Sequence, residues 1–189
     1  MLQAPSFSHL LLRDATPEDA GAMAQVAVNA WRFAYAGILR EEFISSMANL
    51  DSFSEMILKS MERASHRLVA LSCEGCVVGF ANERRPCKLD GFDAEIGGLY
   101  VDPASSRSGV GRALVETMVG RFIADGHRSM AIHTLAQNRI GCAFYEKIGG
   151  EAGPVATWEG VPSKWYIWSN LARLKMRQSS SEPQDTQSP

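Results

Sequence analysis

Hydrophobic and polar residues change their period repeatedly along this 189-residue chain, and the changes mark its elements. Short apolar runs at residues 10–13, 68–71 and 77–80 predict strands, the last two joined as a hairpin across Glu74-Gly75. A longer strand is expected over 92–101, another over 130–135, and two more over 152–158 and 164–168 with a turn at 159–162. Helical spacing is clearest after Gly109, where Val110, Leu114, Met118 and Phe122 recur every four residues beside Val115, Val119 and Ile123. Gly126 ends that helix. Thr16-Pro17-Glu18-Asp19 reads as an N-cap, a proline in the first turn and two acids, so a helix should start there and run to about Tyr35, the first of two helices within 17–63. A short fourth helix follows Asn138 and stops at Gly149-Gly150. No internal repeat or linker divides the chain, and strands alternating with helices predict a single α/β domain.

Composition narrows the class. With 46% hydrophobic residues the chain can bury one substantial core. A formal net charge of −2 provides no basic field for nucleic acid or an anionic membrane, so a small ligand or peptide is the better expectation. No apolar run approaches the roughly 20 residues that cross a bilayer, and the N-terminus lacks a basic region before an apolar stretch, so a cytoplasmic protein is expected. Residues 1–8 read as a loose N-terminus, 9–175 as the folded domain and 176–189, rich in Ser, Gln, Pro and Glu, as a disordered tail. Of four cysteines, Cys73 and Cys76 form a C-x-x-C, which has no second ligand pair for zinc and is read as two reduced thiols facing each other across the hairpin turn. No metal is expected.

The most informative stretch is EIGGLYVDPASSRSGVGRAL, residues 95–114, an apolar strand, a turn at Asp102-Pro103, a Ser/Gly-rich loop and the start of a helix. A helix entered through small residues leaves several backbone N–H groups free and adds its dipole, which suits a phosphate or pyrophosphate. A P-loop would place Lys-Ser/Thr after the last glycine, and here Arg112-Ala113 follows Gly111. A dinucleotide loop would place a small residue where Leu114 stands. Both common nucleotide loops are thereby disfavoured.

Leu99-Tyr100-Val101 followed by Gly109-Val110-Gly111 and Arg112-Ala113-Leu114 resembles motif A of the GNAT superfamily of acetyl-CoA-dependent N-acetyltransferases. Ser106 departs from the pattern, standing where Arg or Gln is usual, with Arg107 one place later. Further on, the strand 130–135, Asn138 and Phe144-Tyr145-Glu146-Lys147 resemble motif B in order and spacing. The segment 30–39, with Trp31 and Tyr35, looks like the first-helix exit that walls the acceptor site in many small members. The resemblance implies a GNAT-like fold, a mixed central sheet of about six to seven strands flanked by about four helices.

It also implies roles. Acetyl-CoA would lie against Leu99, Tyr100, Val101, Arg107, Ser108, Gly109, Val110, Gly111, Arg112, Asn138 and Tyr145, with the backbone amides of 108–112 the main anion donors. Asn138 suits a helix N-cap equally well. Tyr145 matches the tyrosine that protonates the departing thiolate, or is a buried core residue. An aliphatic amine with a pKa near about 10 must lose a proton before attack, and Ala94-Glu95-Ile96 resembles the context of a general-base glutamate in the histone-acetyltransferase branch. Glu95 is otherwise a substrate-ammonium contact or a solvated strand-start carboxylate. Gly97-Gly98 corresponds to a strand bulge whose N–H polarises the thioester carbonyl, or to tight helix packing over the glycines. Trp31 and Tyr35 would line the acceptor pocket or pack in the core, while His133 reads as a half-buried structural residue and Trp158, Trp165 and Trp168 as packing and dimer-edge residues of a homodimer. With no cysteine beside the loop, the expected reaction is direct transfer from acetyl-CoA to a primary amine, of a small molecule first and of a protein or peptide alternatively. A non-catalytic acyl-CoA-binding module is the alternative from another class.

Overall fold

Seven strands form one mixed sheet in a computed structural model that describes residues 10–61 and 66–174. The expected loose N-terminus up to residue 8 and the polar tail from 176 fall outside the described residues. The strands are β1 (Leu11–Asp14), β2 (Arg67–Leu71), β3 (Val77–Arg84), β4 (Ala94–Val101), β5 (Met130–Leu135), β6 (Glu151–Trp158) and β7 (Val161–Trp168). Their spatial order is β1-β2-β3-β4-β5-β7-β6, antiparallel except for the parallel β4–β5 pair.

Five α-helices cover the two faces: α1 (Ala20–Tyr35), α2 (Glu41–Met47), α3 (Leu50–Met61), α4 (Val110–Ala124) and α5 (Arg139–Lys147). On one face α4 and α5 bury Leu114, Met118, Phe122, Cys142 and Tyr145 against Leu68, Ala81, Ile96, Ile132 and Tyr166. On the other, α1, α2 and α3 bury Met23, Ala27, Trp31, Ile44, Phe53 and Ile57 against Val69, Leu71 and Phe80. Residues such as Leu68 and Val69 alternate between the two cores because successive side chains of a strand point to opposite faces. Each fully buried Leu, Met or Phe contributes on the order of 1.5–3 kcal/mol of apolar transfer energy.

The segment expected to hold two helices holds three, preceded by a short 3₁₀ turn over Pro17–Asp19. The second helix is interrupted at Ala48, whose ψ of 56 leaves the helical region, and Asn49 then caps α3 by accepting from the Ser52 N–H at 3.1 Å. At the start of α1 the Thr16 N–H donates to Asp19 at 2.8 Å, and Arg13 grips the same carboxylate at 2.6 and 2.8 Å, which holds Asp19 down to about 2.

The β2–β3 hairpin corrects the two-residue turn read from sequence. Its closing pair is Ser72 with Cys76, the Ser72 N–H donating to the Cys76 carbonyl at 2.8 Å, and Gly75 at φ +81 supplies the extra loop residue. Cys73 and Cys76 are free and exposed, and they do not face each other across the turn.

Candidate active site

Two features of β4 open the sheet. Between Asn82 and Glu83 of β3 the register slips, so that Asn82 faces Gly98 and Glu83 faces Ile96, leaving Gly97 as the extra residue of a bulge. On its other side β4 pairs with β5 only through Ala94, Glu95 and Ile96, opposite Met130, Ala131 and Ile132. Beyond Ile96 the two strands part. Into that gap opens a cavity of about 110 Å³ lined by Trp31 and Tyr35 of α1, the backbone of Gly97 and Gly98, His133 of β5 and Tyr145 of α5, among others.

On the β3 side the two glycines have no room for side chains. A Cβ on Gly98 would lie 2.5 Å from Asn82 Oδ1 and 2.8 Å from the Tyr100 ring, and one on Gly97 would lie 2.7 Å from Arg84 Cβ. The two readings of Gly97-Gly98, a bulge and close approach of another group, therefore both describe it; the approaching group comes from β3 rather than from a helix.

At the C-terminal end of β4, Asp102 ties the following loop in place. Its side chain accepts from the Ala104 N–H at 2.9 Å and from Asn29 Nδ2 of α1 at 2.8 Å. The loop then passes through Arg107 at φ +61 and Gly109 at φ +93 before α4 begins. The first backbone bond of the helix is Ala113 N–H to the Gly109 carbonyl. The N–H groups of Arg107, Ser108, Gly109, Val110, Gly111 and Arg112 consequently have no acceptor among the described residues. Such an array at a helix N-terminus is built for anionic oxygens. The side chain of Arg112 is otherwise engaged, donating to Glu116 at 2.7 Å along the helix, toward a separate groove of about 200 Å³ between α4 and α5.

The second motif converges on the same gap. Asn138 caps α5 through Oδ1, which accepts from the Gly141 N–H at 3.0 Å, and it also lines the cavity. One turn later Phe144 approaches Gly111, where a Cβ would sit 3.5 Å from the Phe144 ring and from Val101. Its neighbour Tyr145 is buried against Tyr166 and Trp168 and reaches the cavity, and its hydroxyl makes no hydrogen bond among the described residues. Burial pushes that hydroxyl well above the usual phenol range, so it stays protonated.

Across the gap lie the groups on the α1 face. Glu95 is 2% exposed, with one oxygen 3.0 Å from Arg84 Nε and the other accepting from the Lys88 N–H at 2.8 Å. Burial raises its pKa despite these partners, and its side chain is not among the cavity lining. His133 Nε2 lies 2.9 Å from Ser163 Oγ, and burial together with the cations of Lys88 and Arg84 lowers its pKa, so the ring is neutral near pH 7. Trp31 packs edge-on against Tyr35, Phe53 and Trp158, with centroids 4.9, 6.0 and 5.8 Å away. Its indole N–H is buried beside the Tyr100 hydroxyl, but the pair misses hydrogen-bond geometry and the donor is left unsatisfied. Trp165 and Trp168 are buried within the chain, and Trp158 packs inward on Trp31 and Phe43.

Motifs alone did not find Asn82, Arg84 or Asp102. The alternation of β3, with Phe80, Asn82 and Arg84 on one face, was the available signal. Among the described residues no group of three or more His, Cys, Asp or Glu is placed to hold a metal ion, and no helix is long and apolar enough to cross a membrane.

Known proteins share this fold. Solved structures of similar fold include the PaiA N-acetyltransferase of Thermoplasma acidophilum in complex with coenzyme A, at a TM-score of 0.68 and 22% identity over 85% of this chain and 99% of that one. A GCN5-related N-acetyltransferase from Rhodopseudomonas palustris superposes with a TM-score of 0.71 at 23% identity, covering 86% and 97%. In sequence, a spermidine N(1)-acetyltransferase of Thermoplasma acidophilum is 26% identical over 142 residues, 73% of this chain and 86% of that protein. The uncharacterized N-acetyltransferase YuaI of Bacillus subtilis is 27% identical over 169 residues, 87% and 95% of the two chains. The model of the Acetyltransferase (GNAT) family matches residues 31–150, which span β4, the anion-binding loop, the gap and α5. The chain belongs to the GNAT acetyltransferase family and is an N-acetyltransferase of that family.

Proposed function

We propose that the protein transfers the acetyl group of acetyl-CoA directly to the primary amine of a small molecule. The observation that carries this reading is the unbonded run of N–H groups from Arg107 to Arg112, set beside a gap in the sheet that Tyr145 and the Gly97-Gly98 backbone line. The residues fit the donor. The loop amides would hold the pyrophosphate, Leu99, Tyr100, Val101 and Asn138 would flank the pantetheine arm, and the backbone N–H groups at the Gly97 bulge would face the thioester oxygen. Acetyl-CoA bound there supplies an activated acyl group and a thiolate leaving group.

The chain's own residues account for the protons. Tyr145 Oη, protonated and unpartnered at the gap, is the proton source for the leaving sulfur. Trp31 and Tyr35 wall the acceptor side, where a bound amine meets apolar and aromatic surface. Glu95 is the carboxylate of that side; with both oxygens bonded, it acts by holding Arg84 or, once released from it, as the base. The acetylation of spermidine by a relative supports a small amine as acceptor. The four free cysteines fit a cytoplasmic setting, and Cys142, outside the cavity lining, fits direct transfer rather than an acyl-enzyme.

Titration calorimetry with acetyl-CoA, followed by thiol release in the presence of pooled small amines, tests the reading. Binding and amine-dependent thiol release are the expected results; binding without release from any amine would leave a coenzyme-binding module instead. A pH–rate profile of Glu95→Gln separates its roles. Loss of the acidic limb marks a base, whereas a uniformly lowered rate marks a positioning carboxylate.

A further inference from the structure

Walls of the acceptor cavity carry no acidic side chain. Its lining is aromatic, apolar, hydroxyl, amide or imidazole, and Glu95, two residues before Gly97 on β4, is 2% exposed and already bonded at both oxygens. The Arg84 cation lies beside Gly97, whose backbone lines the cavity. Arg84 lies flat across the bulge, close enough that a Cβ on Gly97 would come 3.2 Å from its Nε. Its side chain is 43% exposed, and Glu95 is its charged partner among the described residues. Lys88 follows on the β3–β4 connection with its backbone N–H on Glu95, and the cations of Lys88 and Arg84 act through space on both Glu95 and His133. Asp93, on the same connection, is turned to the backbone of Arg128 and Ser129, at 2.8 and 3.0 Å.

A lining without a carboxylate offers no counter-charge to a substrate that brings further ammonium groups beside the reacting amine, and the Arg84 and Lys88 cations, which both act on His133 of the wall, disfavour it. They attract one that brings a carboxylate, which the planar guanidinium of Arg84 meets with two donors. The same cations lower the proton affinity of the bound amine, which eases formation of the neutral nucleophile. We propose that the acceptor is an amine bearing its own carboxylate, of the α-amino-acid class, received by Arg84 beside the Gly97 bulge while its side group lies on Trp31 and Tyr35. This rests on the small-amine reading above and narrows it away from polyamines.

The test uses the full chain with acetyl-CoA and three acceptor sets: apolar and aromatic α-amino acids, their carboxamides, and spermidine. The amino acids should exceed their amides and spermidine by about tenfold or more in kcat/KM, the discrimination of one charge-assisted contact. Arg84→Met, which also frees Glu95 and so alters both reactions, should lower the ratio of acid to amide kcat/KM by about tenfold, and Arg84→Lys should restore part of that ratio. A general structural defect would instead lower kcat for both sets. Amides or spermidine acetylated as well as the acids would overturn the inference and leave amine acetylation standing. Thiol release with none of the three, from a chain that binds acetyl-CoA, would overturn the small-amine reading and the inference together.

Discussion

Replacing Gly109 by alanine separates what the loop does for the fold from what it does for the ligand. No heavy atom lies within 4 Å of where the new Cβ would sit, so the change creates no clash. Its cost is in the backbone: φ is +93, a left-handed conformation that costs an L-residue about 1–2 kcal/mol. Gly126, at the other end of α4, gives a matched control. It too has φ +87 and open space around its Cβ position, and it closes the helix through the Gly126 N–H to Ile123 and the His127 N–H to Phe122. Both alanine variants should therefore lose a similar stability, roughly 2–8 °C in Tm at about 2–4 °C per kcal/mol for a chain of this size. Only the loop variant should lose the ligand. If relief of the strain at Gly109 turns two of the N–H groups between Arg107 and Arg112 away, two charge-assisted bonds of about 1.5–3 kcal/mol each are lost, a fall in acetyl-CoA affinity of about 10²–10⁴-fold. Thermal melts and calorimetry on the two variants read both quantities. Equal destabilisation with wild-type acetyl-CoA binding in both would refute the assignment of the loop amides.

Three further outcomes follow from the geometry. Tyr145→Phe removes a hydroxyl with no partner among the described residues, so Tm and acetyl-CoA affinity should hold while kcat falls by up to about 10²–10⁴-fold; an unchanged kcat across pH removes it as the acid. Gly79→Ala would put a Cβ 2.9 Å from Val110 Cγ1 and 3.0 Å from the Tyr100 carbonyl, and should cost about 1–3 kcal/mol in urea denaturation, since the carbonyl belongs to a paired strand and cannot yield cheaply. Asp19, held at about 2 chiefly by Arg13, contributes stability that is fully present above its unfolded value of 3.8 and lost as pH falls toward 2. The difference between wild type and Asp19→Asn, at most about 2 kcal/mol at neutral pH, should shrink over that window; a difference independent of pH would show that the ion pair contributes nothing.

What was legible in the sequence is what the backbone specifies locally. Gly109 before an apolar helical repeat and Asn138 before another announce two helix starts without reference to the rest of the chain, and both stand where the motifs put them. The break between α2 and α3 was also written locally, in the capping Asn49, yet helical spacing continues on both sides and masked it. The hairpin failed for a comparable reason: Glu74-Gly75 is a good two-residue turn, but Gly75 at positive φ instead closes a longer loop on Ser72 and Cys76.

The acceptor side depends on register, which no short window contains. Arg84 stands opposite Glu95 only because β4 absorbs one extra residue at Gly97; without the bulge every pair beyond it would shift by one, and Arg84 would face a different partner. The same bulge falls where β4 leaves β5, directly after the pair Ile96 and Ile132. The inserted residue thus sets the pairing of Arg84 with Glu95 and lies where the sheet opens. The proposed donor and acceptor sides would be linked there, in two glycines whose missing side chains leave room for Asn82, Arg84 and Tyr100. A side chain at either glycine has to displace one of those three residues, so acceptor preference should respond to Gly97 and Gly98 while the loop amides 107–112 remain as they are.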